Sequence, residues 1–272
     1  MNNGLAKILI AVIIGFVIIK ACSGRRNDSE YRQSSQLENW QKSPLDDIIK
    51  SLSDKQDFSI ILYDMDADDS KYKHKYRIVT NEGDSVTAKE TEWYTVSDVF
   101  FEQHLNDMGM EIASKKDGVV HKEAAPAGYT NYVGNPQYGH WVDRNGSSFW
   151  EFYGKYAFLS SMFNLMTYPA RRTYWNDYYG GYYGRGRSYY GPSGRTIYGT
   201  RSYTSSNTGK TSTWGSKPST FKSKVRSQVS RSASATKSRS YSSGSSYSKT
   251  SRSSSRSSSG SSFRSRSGGF GK

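Results

Sequence analysis

No acidic residue follows Asp177. From Tyr178 to Lys272 the chain carries 18 lysines and arginines without one aspartate or glutamate, and from Arg201 onward serine and basic residues dominate while aliphatics almost vanish. Such a stretch has little apolar surface to set against the entropy of ordering a backbone, about 1–2 kcal/mol per residue. Residues 168–272 are therefore expected as a disordered basic tail, Tyr/Gly/Arg-rich at first ("YWNDYYGGYYGRGRSYYGPSGRTIYG") and Ser/Arg-rich after that. A folded core must then come from the preceding part, where 20 basic residues meet 24 acidic ones. The whole-chain charge of +14 describes neither part.

At the other end, "LAKILIAVIIGFVIIKAC" runs from Leu5 to Cys22. Its uninterrupted apolar stretch, Ile8 to Ile19, is shorter than the roughly 20 residues that a bilayer core asks of a helix. With Lys7 and Lys20 snorkelling to the two interfaces, the full segment reaches most of the way across. Three readings follow for residues 1–22: a single-pass anchor, a lipoprotein signal, or a buried helix of a soluble protein. The lipoprotein reading rests on Ile19-Lys20-Ala21-Cys22, which has the branched residue, the alanine and the cysteine of a bacterial lipobox and departs from it at Lys20. Cleavage there makes Cys22 the lipidated N-terminus. Lys20, Arg25, Arg26 and Arg32 follow the segment and only Lys7 and the α-amino group precede it, which favours a cytoplasmic C-terminal side for an uncleaved anchor. A lipoprotein faces outward. Cys22 is the only cysteine, so no intrachain disulfide can form.

Residues 23–42 read as a polar linker, and 43–123 as a small α+β domain in the order helix, strand, hairpin, helix, hairpin. Ser43 and Pro44 open a helix with Asp46 and Asp47 at its positive end, and Leu45, Ile48, Ile49 and Leu52 share one face. "FSIILYDMD" (Phe58 to Asp66) is a strand whose three consecutive aliphatics imply burial on both faces. Two strands flank the turn at Asn81–Asp84. In the first, Lys71, Lys73, Lys75 and Arg77 alternate with Tyr72, His74, Tyr76 and Ile78, giving one basic, wet face. Ser97 caps a helix with Val99, Phe100 and Leu105 as core candidates and Gly109 at its end. A last hairpin turns at Lys116-Asp117-Gly118. Residues 124–167 are an aromatic, Gly-rich loop followed by an aromatic helix over Ser147–Met166, which packs on the domain or lies on a bilayer.

Few residues carry recognisable chemistry. Asp64, Asp66 and Asp68 in "YDMDADD" could hold a divalent cation, and a hydrophobic strand followed by Asp-x-Asp also opens some phosphotransfer sites. An EF-hand started at Asp64 would need glycine at Asp69 and glutamate at Lys75, so that loop is excluded. His74, His104, His121 and His140 lack metal-site spacing. No Gly-x-Ser-x-Gly elbow or phosphate-binding Gly-rich loop occurs, so no enzyme and no cofactor are expected. The cationic tail is the strongest signal. Arg185, Arg187, Arg195, Arg252, Arg256, Arg264 and Arg266 are candidate contacts for a polyanion: anionic lipid, an envelope polymer or an acidic protein, with nucleic acid a further option through Tyr/Arg stacking.

The lipobox-like Ile19–Cys22, "GNPQYGHWVDRNGSSFW" and the closing "RSGGFG" (Arg266–Gly271) together resemble bacterial envelope proteins of the YgiB type. The resemblance implies a bacterial envelope location and supplies no catalytic residues. The resulting expectation is a non-enzymatic, membrane-attached envelope protein. Its alternatives are a membrane-tethered nucleic-acid binder and a divalent-metal enzyme at Asp64 and Asp66.

Overall fold

A computed structural model describes residues 43–68, 71–82 and 85–243. The segments expected as anchor or signal (1–22) and linker (23–42), and the tail from 244 on, lie outside the described residues. Among those described, no helix is long and apolar enough to cross a membrane.

The protein is α+β with a mostly antiparallel sheet. Helix α1 (Pro44–Ser51) starts at Pro44 as expected and buries Leu45 and Ile48, but the Ser43 hydroxyl bonds Asp46 rather than a backbone amide. Strands β1 (Phe58–Asp68), β2 (Lys71–Glu82), β3 (Ser85–Glu90), β4 (Tyr94–Val96), β5 (Met110–Lys116), β6 (Val119–His121) and β7 (Ala125–Pro126) form one sheet in the order β3-β2-β1-β5-β6, with β4 on β2 and β7 on β5. Helix α2 (Asp98–Gln103) interrupts the strands, and the Ser97 hydroxyl accepts from the Phe100 amide as its cap. Asp117 and Gly118, both at positive φ, make the tight β5–β6 turn that a two-residue hairpin needs.

β1 is central, and its aliphatic run is buried on both sides: Ile60 and Leu62 belong to one core and Ile61 to another. The first core contains α1, α2 and the Tyr72/Tyr76 side of β2. The second contains Ile61, Val79 and a layer of tyrosines and tryptophans from residues 124–198.

Two expectations need correction. The aromatic stretch expected as one helix over Ser147–Met166 begins as a strand. β8 (Gly139–Arg144) and β9 (Ser147–Phe152) pair around Asn145-Gly146, both at positive φ, with Arg144 opposite Ser147. The Asn-Gly turn outweighs the helical spacing of the aromatics. Only Phe158–Met162 (α3), after a short 3₁₀ turn at Gly154–Tyr156, is helical.

The second correction concerns the tail. Residues 168–243, expected as disordered, contain α4 (Arg172–Gly181), α5 (Thr200–Tyr203), α6 (Asn207–Lys210), α7 (Thr213–Ser216) and the 25-residue α8 (Ser219–Ser243). Tyrosine takes the place of aliphatics: Tyr178, Tyr189 and Tyr198 are buried in the second core, and Tyr203 and Trp214 in the first. Each such ring brings 150–250 Å² of apolar surface, about what a large aliphatic offers or more. The one-turn helices α6 and α7 use a Ser-x-x-Gly device. Ser206 and Ser212 accept from the amides of Gly209 and Gly215, at 3.1 and 2.9 Å, while each donates to a carbonyl three residues back. Helix α8 buries Val225, Val229 and Ala233, an i, i+4, i+8 stripe whose small side chains let it lie against α2.

Candidate functional site

The acidic run and the basic strand face belong to one structure. In the β1–β2 register Asp64, Asp66 and Asp68 stand opposite Lys75, Lys73 and Lys71. This face is a cross-strand ladder of opposite charges. Pairing of β1 with β5 covers only Phe58 to Ile61, and α7 packs against β1. Asp64, 5% exposed, is spent there. Its Oδ2 accepts from the Thr213 amide at 2.7 Å, and its Oδ1 accepts from Trp214 at 3.1 Å and from Met65 at 2.8 Å. Asp66 pairs with Lys217 at 3.2 Å and accepts from the Ala67 amide, while Asp68 is exposed. The three carboxylates therefore do not converge on a cation. Among the described residues, no group of three or more His, Cys, Asp or Glu side chains could hold a metal ion.

The upper half of the basic face is likewise engaged. Lys75 and Arg77 clamp Glu90 of β3 at 2.9 and 2.8 Å, and the Arg77 guanidinium lies 4.0 Å from the Tyr63 ring centroid. Burial acts to raise the Glu90 pKa, but the hydrogen bonds from Arg77 and Lys75 outweigh it, so the carboxyl sits below its ordinary value. The hydrogen bond to Glu90 raises Lys75.

The polyanion candidates divide in two. Arg185 and Arg187 are exposed after α4, and Arg195 is exposed after the 3₁₀ turn at Pro192–Gly194. The Arg187 guanidinium lies 4.8 Å from the Tyr182 ring centroid. Arg252, Arg256, Arg264, Arg266 and the lipidation candidate Cys22 lie outside the described residues.

Sequence spacing missed the buried polar groups. His104 Nδ1 meets Asp107 at 2.8 Å, and Tyr190 donates to the other Asp107 oxygen at 2.7 Å. Burial, and then Asp107, push the Tyr190 phenol up. Thr200 donates to the Leu105 carbonyl and accepts from the Met108 amide, so the 190–200 segment is stapled to the turn after α2. His104 lines a groove of about 300 Å³ between α1 and α2, shared with Ser43, Asp46 and Lys122. An aspartate-held imidazole can serve as a base. The groove's serine, Ser43, gives its hydroxyl to Asp46 at 3.2 Å, so it does not form a nucleophile–base pair with His104.

Beneath the tyrosine layer lies Glu111, 1% exposed and opposite Ile61. The hydroxyls of Thr130, Ser59 and Ser114 are near enough to act on its carboxyl, but neither oxygen has a partner of normal hydrogen-bond geometry. Burial dominates and raises the pKa. Beside it Lys116 bonds Tyr179 at 2.9 Å and lies over the Tyr179 and Tyr183 rings; burial lowers its pKa. Only long-range register brings these groups together. A lone Glu at the start of a short strand and a Tyr some 70 positions later give no local signal.

Fold and site together define an α+β module with Asp64 and Asp107 bonded internally, with Glu111 buried and unpartnered, and with a cationic surface over 185–237. Compared with known protein families, with curated proteins and with solved structures, the chain matches none of them.

Proposed function

We propose that the chain is a non-enzymatic, membrane-attached protein of the bacterial envelope that binds anionic surfaces through its basic C-terminal part. The membrane attachment rests on the apolar segment Leu5–Cys22, and the envelope location on the YgiB-like pattern at Ile19–Cys22 and Arg266–Gly271. One observation carries the binding: the acid-free region folds with its apolar side chains inward and its cations outward. Arg185, Arg187, Arg195, Lys224 and Arg231 are exposed while Tyr189, Tyr198, Val225 and Val229 are buried. Cations fixed on the surface of a folded region keep a persistent positive field, which attracts lipid headgroups or envelope polymers.

Nucleic acid is the weaker partner. Single-strand binding needs accessible rings for bases to stack on, and Tyr178, Tyr189 and Tyr198 are inside the second core. A metal-dependent reaction at Asp64 and Asp66 is weaker still, because Asp64 is committed to backbone amides.

The test is vesicle pelleting of the chain without residues 1–22, against anionic and zwitterionic lipid. The expected result is binding to anionic vesicles alone, lost at high salt and reduced at least tenfold when Arg185, Arg187, Arg195, Lys224 and Arg231 are changed to glutamine, each cation near such a surface being worth about 1 kcal/mol. Equal binding by that variant, or equal binding to both lipids, overturns the proposal.

A further inference from the structure

Three of the six large apolar side chains exposed among the described residues sit close together in the chain. Tyr153, Phe158 and Met166 are 42%, 44% and 81% exposed, while the other three, Trp93, Val119 and Val120, lie on or beside the strands of the large sheet. Local structure holds the first three outward. Along α3 and its C-cap, Leu159 and Phe163 are buried in the second core, so Phe158 and half-buried Met162, also four apart, take another side. The helix ends at a left-handed residue, Asn164 at φ +58°. There the Leu165 amide bonds the Ser160 carbonyl at 2.8 Å, and the Asn164 amide bonds Ser161 at 3.1 Å. This cap buries Leu165, 7% exposed, and leaves Met166 in solvent. Tyr153, just past β9, stacks on exposed His140 at 5.4 Å.

The surrounding charge is one-sided. No acidic residue lies between Glu151 and Asp177, and Glu151 pairs with Arg144. Lys155, Arg171 and Arg172 are exposed in the same stretch, and Arg171 is bridged to β9 at Phe149. At their exposures the three apolar side chains present under about 400 Å², since a whole aromatic offers 150–250 Å². A stable protein interface buries roughly 800 Å² on each partner, so a second copy or a folded partner finds too little here. A bilayer asks less, because each inserted side chain leaves water on its own account. We propose that Tyr153, Phe158 and Met166 form an apolar knuckle that dips into the bilayer to which Leu5–Cys22 attaches the chain. The proposal rests on the membrane attachment above and adds to it an apolar contact and an orientation of the domain. Residues 23–42, between the attached segment and the domain, span at most about 66–72 Å, so the domain stays near the bilayer and its own surface selects the side that meets it. The knuckle is too small to hold the domain alone; the attachment keeps its effective concentration at the bilayer high.

The experiment places a nitrobenzoxadiazole fluorophore on single cysteines in the full chain carrying Cys22→Ser, reconstituted in phosphatidylcholine vesicles with and without nitroxides on the acyl chains. Neutral lipid removes the anionic-surface contact, so the two readings are tested apart. Met166→Cys is the probe position, and Lys50→Cys, exposed on α1 in the first core's side of the sheet, is the reference. The label at 166 is expected to emit to the blue and to be quenched at least about threefold more than the label at 50, because interfacial apolar faces sit about 5–10 Å into the headgroup and acyl boundary. Adding Phe158→Ser should reduce that quenching. Equal quenching at the two positions, or none at 166, in a chain that stays with the vesicles overturns the knuckle and leaves the attachment standing. A chain that does not stay with the vesicles overturns the attachment and the knuckle with it. A blue shift at 166 that needs no vesicles and grows with protein concentration assigns the patch to a second copy and also overturns the proposal.

Discussion

Glu111 and His74 are buried ionisable side chains that oppose each other in their effect on stability with pH. Burial raises the Glu111 pKa above its usual 4.5, so the folded protein holds a proton there that the unfolded chain has released. That contribution is complete below pH 4.5 and is lost as pH rises toward the folded value. His74 is the reverse case. It has no exposed surface, its Nε2 has no partner, and burial followed by the neighbouring His104 takes its pKa well below 6.5. It therefore favours the fold above pH 6.5, and that contribution declines as pH falls from 6.5 toward the folded value. Glu111→Gln keeps the shape without the charge. Urea unfolding between pH 4 and 9 should show the variant losing the decline above pH 4.5 and gaining stability at neutral pH relative to wild type. Parallel stability curves for the two proteins would mean that Glu111 ionises in the folded state without penalty. Neither group is conspicuous in the sequence, because burial of a single residue is a property of the layer packed over it.

Among the elements, α7 shows how a distant carboxylate builds a turn of helix. Its first amides, of Thr213 and Trp214, are taken by Asp64, and the amide of Gly215 by Ser212. Asp64→Ala leaves the two α7 amides without an acceptor beside the first core, at a cost of about 1–3 kcal/mol for each. It should also loosen Trp214, which is 2% exposed and packs edge-on to Phe101 at 5.9 Å. Chemical denaturation measures the loss, and tryptophan quenching reports the loosening. A variant as stable as wild type would reduce the Asp64 contacts to a coincidence of packing. The same element scale sets what could be read locally. Asp117-Gly118 and Asn145-Gly146 both close two-residue hairpins with positive φ at both positions, a turn whose twist matches that of the flanking strands. The first was recognised in the sequence. The second was obscured by aromatic residues that also fit a helix, and pairing of Trp141 with Trp150 decides in favour of the strand.

For the whole molecule, the sheet is covered on both sides by residues that follow it in the chain. Ending the chain at Pro218 strips Val225 and Val229 from the first core. Two valines at 1.5–3 kcal/mol each put the loss near 3–6 kcal/mol, an upper bound because unfolded chains already bury some apolar surface. Guanidinium unfolding of the shortened protein checks this, and an unchanged midpoint would show that α8 contributes nothing to the core. A glycine sets the same kind of limit where α5 approaches the sheet. Gly109 has φ +80°, and a β-carbon there would penetrate the Tyr203 ring, so α5 closes over the turn before β5 only because that position is bare.

The sequence by itself determined the elements whose signals are short-ranged: the proline-led α1, the doubly buried β1, the alternating β2, the capped α2 and the hairpin at Asp117-Gly118. Alternation, capping and turn chemistry act within a few residues, so they are legible without partners. The tertiary structure decided which charges meet and whether the basic region folds. Asp64 finds its amides 149 and 150 residues away, and Asp98 finds hydroxyls at Ser232 and Thr236. Composition counts aliphatics and so misjudged residues 168–243. Their core is made of tyrosine rings and of small residues that fit only against a surface already in place.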